Sequence, residues 1–272
     1  MALRCAYTDL DGTLLGRHGS LFRDAEGDFS LRQARALEAC HRAGAEVVIM
    51  SGRREAQVMA DARLLGQSSY IYEAGCGVMI DGERTLLTGD WVPDDDGTPA
   101  EKMLAAGIPD LLFERFPGRL EWHHPWHHDR RLSHLFRGLV DVAEANAMLA
   151  ANGHADLRFL DNGAIVRGME GIDGPAHAYH LVPGGASKAK AAAYHMRARG
   201  YVPEECIGIG DSLEDLDAAD SVDRFFVVAN GPERDPGLRD AIGGRPNVTV
   251  TEGRNGEGVY EAIVSTLAER RS

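Results

Sequence analysis

Apolar runs separated by short polar turns dominate the first 75 residues and return after residue 185. The run Cys5-Ala6-Tyr7-Thr8 reads as a short buried strand, and 45–50 as a second, unbroken one. Between them Leu31, Ala34 and Leu37 recur at helical spacing. Ser30-Leu31-Arg32-Gln33 offers a capping box to open that helix, and Gly44 closes it. A helix over about 55–65, stopped by Gly66, and a strand at 70–72 complete a βαβαβ rhythm. Strands apolar on both faces predict a parallel sheet covered by helices on either side. After 185 the rhythm resumes, with a helix over 186–199, strands at 206–209 and 225–229, and a last amphipathic helix over 259–267.

The middle of the chain follows another pattern. From about 84 to 184 Pro, Trp and His become frequent, and the strands at 131–136 and 157–160 are short or alternating. One good helix, about 140–151, lies between them. This predicts an α+β insertion with an antiparallel sheet. The fold class expected is therefore α/β, a Rossmann-like parallel core at 1–83 and 185–272 interrupted by a smaller domain at 84–184. The acidic loop Asp94-Asp95-Asp96-Gly97 lacks calcium-loop ligands, because Val92 and Met103 fill the first and twelfth positions.

Charge narrows the partners. With 29 basic and 42 acidic residues the net charge is −13, which repels nucleic-acid backbones and anionic lipid. A small phosphorylated metabolite stays compatible if a cation and a few basic groups gather at one point. No apolar run is long enough to span a bilayer, and Met1-Ala2-Leu3-Arg4 leads straight into the first strand, so no signal peptide and a cytoplasmic location are expected. Cys5, Cys40, Cys76 and Cys206 are scattered and form no CxxC pair, which fits reduced core thiols.

The candidate chemistry sits at strand ends. Asp9 and Asp11, one residue apart in Asp9-Leu10-Asp11-Gly12-Thr13, follow the first strand. Such a pair reads either as a turn or as two carboxylates around a cation, one a nucleophile and the other handling a proton. Ser51-Gly52-Arg53, Gly210-Asp211-Ser212 with Asp215, and Asn230 stand at three further strand ends, and Lys188 opens the helix after Pro183-Gly184-Gly185. In a parallel sheet these ends share one edge. Phosphoryl transfer needs positive charge and donors aimed at the equatorial oxygens, which Lys188, the Ser51 hydroxyl and the Gly52 amide supply. A third carboxylate, Asp211, can complete an oxygen-rich Mg²⁺ site.

In order and context, Asp9-Leu10-Asp11-Gly12-Thr13-Leu14, Ser51, Lys188 and Gly210-Asp211-Ser212-Leu213-Glu214-Asp215 resemble the four motifs of the haloacid dehalogenase superfamily. The insertion between the second and third motifs is similar in place and size to the C2 cap of its Cof-type and sugar-phosphatase branch, mannosyl-3-phosphoglycerate and sucrose phosphatases among them. The resemblance implies a Mg²⁺-dependent phosphomonoesterase acting on a sugar phosphate or glycosyl-phosphoglycerate. In it Asp9 attacks phosphorus to give an aspartyl-phosphate, and Asp11 protonates the leaving alcohol and then activates water. Ser51 and Lys188 hold the phosphoryl group, with Thr13 supporting the site. Asp9, the Asp11 carbonyl and Asp211 are the implied metal ligands, and Asp215 either ligates through water or positions Lys188. Gly12, Gly52, Arg53, Glu73, Gly75 and Asn230 are the candidate substrate contacts. Two departures concern the leaving group: Glu73-Ala74-Gly75 replaces the frequent Asn-Gly, and Glu214 a frequent Asn. A phosphomutase of the phosphomannomutase type shares this core, and a phosphate sensor without catalysis is the reading from another class.

His123, His124, His127 and His128 flank Pro125-Trp126. Their i,i+4 spacing suits a zinc pair on a helix, but the proline opposes a helix there. A solvent-facing loop is expected ahead of a substrate contact, and zinc last. Trp122 and Trp126 are expected to pack within the insertion or to cover a sugar ring.

Overall fold

A computed structural model describes residues 1–165 and 167–270. Eight strands form one sheet in the order β12-β11-β10-β1-β2-β3-β4-β5. They are β1 (Cys5–Thr8), β2 (Glu46–Met50), β3 (Ser69–Tyr72), β4 (Gly77–Ile80), β5 (Glu83–Leu86), β10 (Cys206–Gly210), β11 (Arg224–Val227) and β12 (Val248–Val250). From β12 to β3 all pairings are parallel; β4 and β5 add an antiparallel hairpin at one edge. Every residue of β1, β3 and β10 is buried, as strands covered on both faces require. The hairpin was not legible as strands, because its outer strand begins with exposed Glu83 and Arg84.

Strand register sets the position of the site. Thr8 pairs with Ile49 on one side and Ile209 on the other. Asp9 is thus level with Met50 and Gly210, and Ser51 and Asp211 emerge one residue further along the same edge.

A second sheet, β6-β7-β9-β8, is wholly antiparallel and comprises β6 (Leu120–Trp122), β7 (His134–Gly138), β8 (Leu157–Ala164) and β9 (His177–Pro183). Phe136, Phe159, Tyr179, Leu181 and Leu149 form its buried cluster. The helix expected at 140–151 runs Val142–Ala151, capped by the Asp141 carboxylate, which accepts from the Glu144 N–H. Two helices the sequence reading lacked, Pro99–Ala105 and Ile108–Arg115, add Met103, Ile108 and Leu112 to this core. Together these features give the α/β architecture with a parallel sheet and a separate antiparallel one.

Local corrections have simple causes. Helix Arg32–Ala43 has Leu31 at its N-cap and no side-chain cap, since the Ser30 hydroxyl accepts from Arg32 N–H, two residues on. Gly44 closes it in the left-handed conformation, φ 69°. The helix expected from 186 begins at Lys188, with Ser187 as N-cap accepting from the Lys190 N–H at 3.1 Å. Lys188 is therefore the first helical residue.

That helix, Lys188–Arg199, is fastened to the sheet at its far end by Glu46, the first residue of β2. The Glu46 carboxylate accepts from Ser69 Oγ at 2.7 Å, Arg199 Nη2 at 3.0 Å and Tyr201 Oη at 3.1 Å, and His195 Nε2 lies 3.5 Å away. Burial alone would raise its pKa; the bonds from His195, Ser69 and Arg199 outweigh it and hold the carboxyl down to about 2. Its contribution is present above its ordinary 4.5 and lost as pH falls through about 2. Glu46→Gln is expected to cost about 3 kcal/mol near pH 7, with the gap from wild type closing between pH 4.5 and 2. Urea melts across that range measure it.

Candidate active site

Asp9 leaves the end of β1 with its N–H donated to the Ile209 carbonyl at 3.0 Å, and it is 5% exposed. Lys188, 1% exposed, donates from Nζ to Asp9 Oδ1 at 2.8 Å and to Asp215 Oδ1 at 2.7 Å. Residues 179 and 27 positions apart from Lys188 thus meet at one ammonium. The other Asp215 oxygen accepts from Ser212 Oγ at 2.7 Å and from the Asp211 and Ser212 N–H groups, closing the short helix Leu213–Leu216 with a capping box. Asp211 accepts from Thr13 Oγ1 at 2.9 Å and from Arg234 Nη2 at 2.6 Å.

Carboxylate oxygens of Asp9, Asp211 and Asp215 lie within 4.8 Å of one another. Their electrostatics follow from that crowding. Burial raises the Asp9 pKa well above its usual range; Lys188 opposes this, and Asp215 and Asp211 add to it. Burial also pushes Asp211 up to about 6, Arg234 pulling against it and Asp215 with it. Clustered, buried oxygen donors with too little positive charge fit a hard divalent cation of the Mg²⁺ kind.

Asp11 points elsewhere. Its side chain is half-exposed and takes both Nε and Nη2 of Arg53 at 2.6 Å, while Arg53 Nη1 holds Asp61 at 2.7 Å. Asp9, Asp11, Ser51, Gly52 and Arg53 line one cavity of about 350 Å³. Gly12 has φ 89°, and a Cβ there would stand 2.2 Å from Asp211 Oδ2, so only glycine lets the two loops approach.

Four residues expected at the substrate, Gly12, Glu73, Gly75 and Asn230, instead build the frame, and they are absent from the cavity lining. Glu73 and Ala74 hold φ values of 46° and 58°, and this left-handed turn directs the Glu73 carboxylate away from the pocket. It accepts from the Arg131 and Leu132 N–H groups and from Ser133 Oγ at 2.7 Å. Gly75 packs where a Cβ would meet the Ser187 carbonyl carbon at 2.2 Å, bringing this turn against the start of the Lys188 helix. Asn230 donates to the Gly12 carbonyl at 2.8 Å and accepts from Asn255 N–H at 2.7 Å.

The second sheet supplies the opposite wall. Arg130, His180, His123, Trp126 and Asn162 face the cavity. Arg130 Nη2 donates to the Gly52 carbonyl at 2.6 Å and to Ser133 Oγ at 3.0 Å. His180 lies so close that a Cβ on Gly52 would touch its Nε2 at 2.5 Å. No local motif announced Arg130, His180 or Asn162, whereas His123 and Trp126 belong to the segment for which substrate contact is an alternative expectation. Trp122, in contrast, stacks on Phe136 at 4.7 Å inside the second core.

No family model matches the chain. It is similar to the phosphoglycolate phosphatases of Methanothermobacter thermautotrophicus, 23% identical over 96% of this chain and 97% of that one, and of Archaeoglobus fulgidus, 25% identical over 94% and 93%. The fold is that of a sucrose-phosphatase from Synechocystis solved with sucrose and phosphate, TM-score 0.68 at 14% identity over 98% of both chains. A haloacid dehalogenase-like hydrolase of B. subtilis gives TM-score 0.62 at 18% identity over 96% of this chain and 99% of that one. The chain is thus similar to phosphatases over almost its whole length and has the fold of haloacid dehalogenase-like hydrolases. Its separate antiparallel sheet matches folds that carry a cap domain. Among the described residues no helix is long and apolar enough to cross a membrane.

Proposed function

We propose that this phosphatase is a Mg²⁺-dependent phosphomonoesterase of small phosphorylated hydroxy acids, working through an aspartyl-phosphate. The observation that carries the reading is the Lys188 ammonium shared by Asp9 and Asp215 beside Asp211, with Asp9 lining a cavity whose other wall holds Arg130 and His180. Asp9, Asp211 and Asp215, with the Asp11 carbonyl, would hold the ion. Bound there, Mg²⁺ neutralises phosphoryl charge and lets an anionic ester approach an anionic nucleophile.

The chain's own groups do the rest. Asp9 attacks phosphorus as the ester P–O bond breaks, and Asp11 delivers a proton to the departing alkoxide. Arg53 transfers its bidentate grip from Asp11 to the incoming phosphoryl oxygens, which frees Asp11 to carry that proton. Water then attacks the aspartyl-phosphate with Asp11 as base, releasing phosphate and restoring Asp9. Lys188, Ser51 Oγ and the Gly52 N–H stabilise the equatorial oxygens. Residues 84–184 act as the cap that covers the substrate and excludes water.

The wall opposite the phosphate selects the leaving group. Its polar side chains are Arg130, His123, His180 and Asn162, with no carboxylate among them. The Arg130 guanidinium, a donor only, suits a substrate carboxylate, while the imidazoles and Asn162 can donate or accept around it. A phosphorylated hydroxy acid, bare or glycosylated, satisfies it, and the similar phosphoglycolate phosphatases agree with that class. Phosphate release measured on phosphoglycolate, a hexose phosphate and an aryl phosphate, with Mg²⁺ and with EDTA, tests the reading. Phosphoglycolate is expected to lead and EDTA to abolish turnover; a preferred hexose phosphate overturns the substrate class, and no Mg²⁺-dependent release overturns the reaction. Arg130→Met is expected to raise KM for phosphoglycolate about 10- to 100-fold, the worth of a charge-assisted bond, and KM for an aryl phosphate far less.

A further inference from the structure

The histidine-rich turn at 123–128 is left over by the phosphatase reading. It is a turn rather than a helix, closed by the His127 N–H donating to the His123 carbonyl at 3.0 Å and the His128 N–H to Pro125 at 3.4 Å. Pro125 prevents the regular i,i+4 pairs that the spacing offered, and the turn sorts the imidazoles differently. His123 goes to the cavity wall. His124, His127 and His128 gather on one another, with ring centroids 4.2 Å, 5.5 Å and 3.8 Å apart.

We propose that His124, His127 and His128 form a binding site for a borderline transition-metal ion of the Zn²⁺ class, distinct from the carboxylate site. One ring nitrogen from each lies within 4.8 Å of the other two. A tetrahedral ion with Zn–N near 2.1 Å asks for N···N of about 3.4 Å, a closure of at most about 1.4 Å. His124 and His128 are exposed and can make that adjustment by rotating. His127 is the fixed member: its ring stacks on Trp122 at 5.3 Å, and its Nδ1 is buried with no hydrogen-bond partner. A buried ring nitrogen without a partner costs stability unless something binds it. Among the described residues no side-chain hydrogen bond engages the His124 or His128 ring. Three imidazoles and no carboxylate select Zn²⁺, Ni²⁺, Co²⁺ or Cu²⁺ over Mg²⁺, the reverse of the Asp9 cluster. With three protein ligands the ion keeps a position open to solvent. Because His123 and Trp126 of the same turn line the substrate cavity, an ion here also fixes the rim of the active site.

Titration of untagged full-length protein with Co²⁺ and Zn²⁺ under saturating Mg²⁺, followed by visible spectroscopy and calorimetry, tests the proposal. One equivalent is expected per chain, with visible Co²⁺ bands of a low-coordinate nitrogen site that Zn²⁺ displaces. His124→Ala and His128→Ala are expected to weaken binding at least about 10-fold, a loss that even orienting residues of metal sites produce. Both variants should keep wild-type circular dichroism and Mg²⁺-dependent phosphate release. Absence of that equivalent in wild type, or equal affinity in both variants, overturns the site. Neither result bears on the phosphatase reading, which the Mg²⁺ assay measures separately.

Discussion

Asp9→Asn is expected to lower phosphate release from an aryl phosphate by at least about 10⁴-fold, the scale on which removal of an enzymatic nucleophile operates. The substitution keeps the shape of the side chain and an oxygen for the Lys188 ammonium, which donates to Asp9 Oδ1 at 2.8 Å. What it removes is the anionic nucleophile of the proposed mechanism. It also takes one charge out of a buried cluster in which Asp211 and Asp215 already raise the Asp9 pKa. Folding stability without metal is therefore expected to stay level or rise while turnover disappears, and a urea melt beside a steady-state assay reads both. Stability and activity falling together would make Asp9 a structural residue. Wild-type-like turnover would remove the covalent route.

The second large effect is expected at Lys188. Its ammonium is the buried counter-charge to Asp9 and Asp215, with Glu214 Oε2 at 4.0 Å. Burial would drive its proton off, and the charges of Asp215, Asp9 and Glu214 outweigh that to hold its pKa well above the ordinary value. Glu214 shows how finely this is balanced: burial pushes it up to about 7 against the pull of Lys188, and neither oxygen has a hydrogen-bond partner. Lys188→Met keeps most of the side-chain volume and deletes the charge, leaving buried carboxylates uncompensated. Breaking such a pair costs about 3–5 kcal/mol. Urea melts in EDTA are expected to show that loss, and Mg²⁺ to recover part of it by supplying charge to the same oxygens. A change below about 1 kcal/mol in EDTA would mean that the cluster is solvated and the ammonium peripheral. Phosphate release is expected to fall in parallel with Mg²⁺ present, since Lys188 also holds the phosphoryl oxygens in the proposed mechanism.

The core strands and their reactive ends were legible because each signal is local. Four-residue apolar runs such as 5–8 bury both faces, and the polar residue that follows must emerge at the sheet edge. Helix stops at Gly44 and Gly66 were equally plain, and both glycines carry positive φ. Helices Pro99–Ala105 and Ile108–Arg115 were not, because seven and eight residues complete too few turns to display a period. Glu73 illustrates a different gap. Its position after β3 was read correctly, yet the direction of its carboxylate depends on a left-handed turn at φ 46° that an ordinary L-residue does not advertise.

The sequence by itself determined the parallel core, the order of the reactive groups along it and the carboxylate character of the site, because strand ends in a parallel sheet share an edge whatever else surrounds them. Only the tertiary structure decided what faces them. Arg130 reaches the Gly52 carbonyl across 78 positions, His180 packs on that same glycine, and Pro125 turns three imidazoles toward one another. Those contacts depend on how an antiparallel sheet is laid over the edge of another, and long-range packing of that kind leaves no periodic trace in the chain.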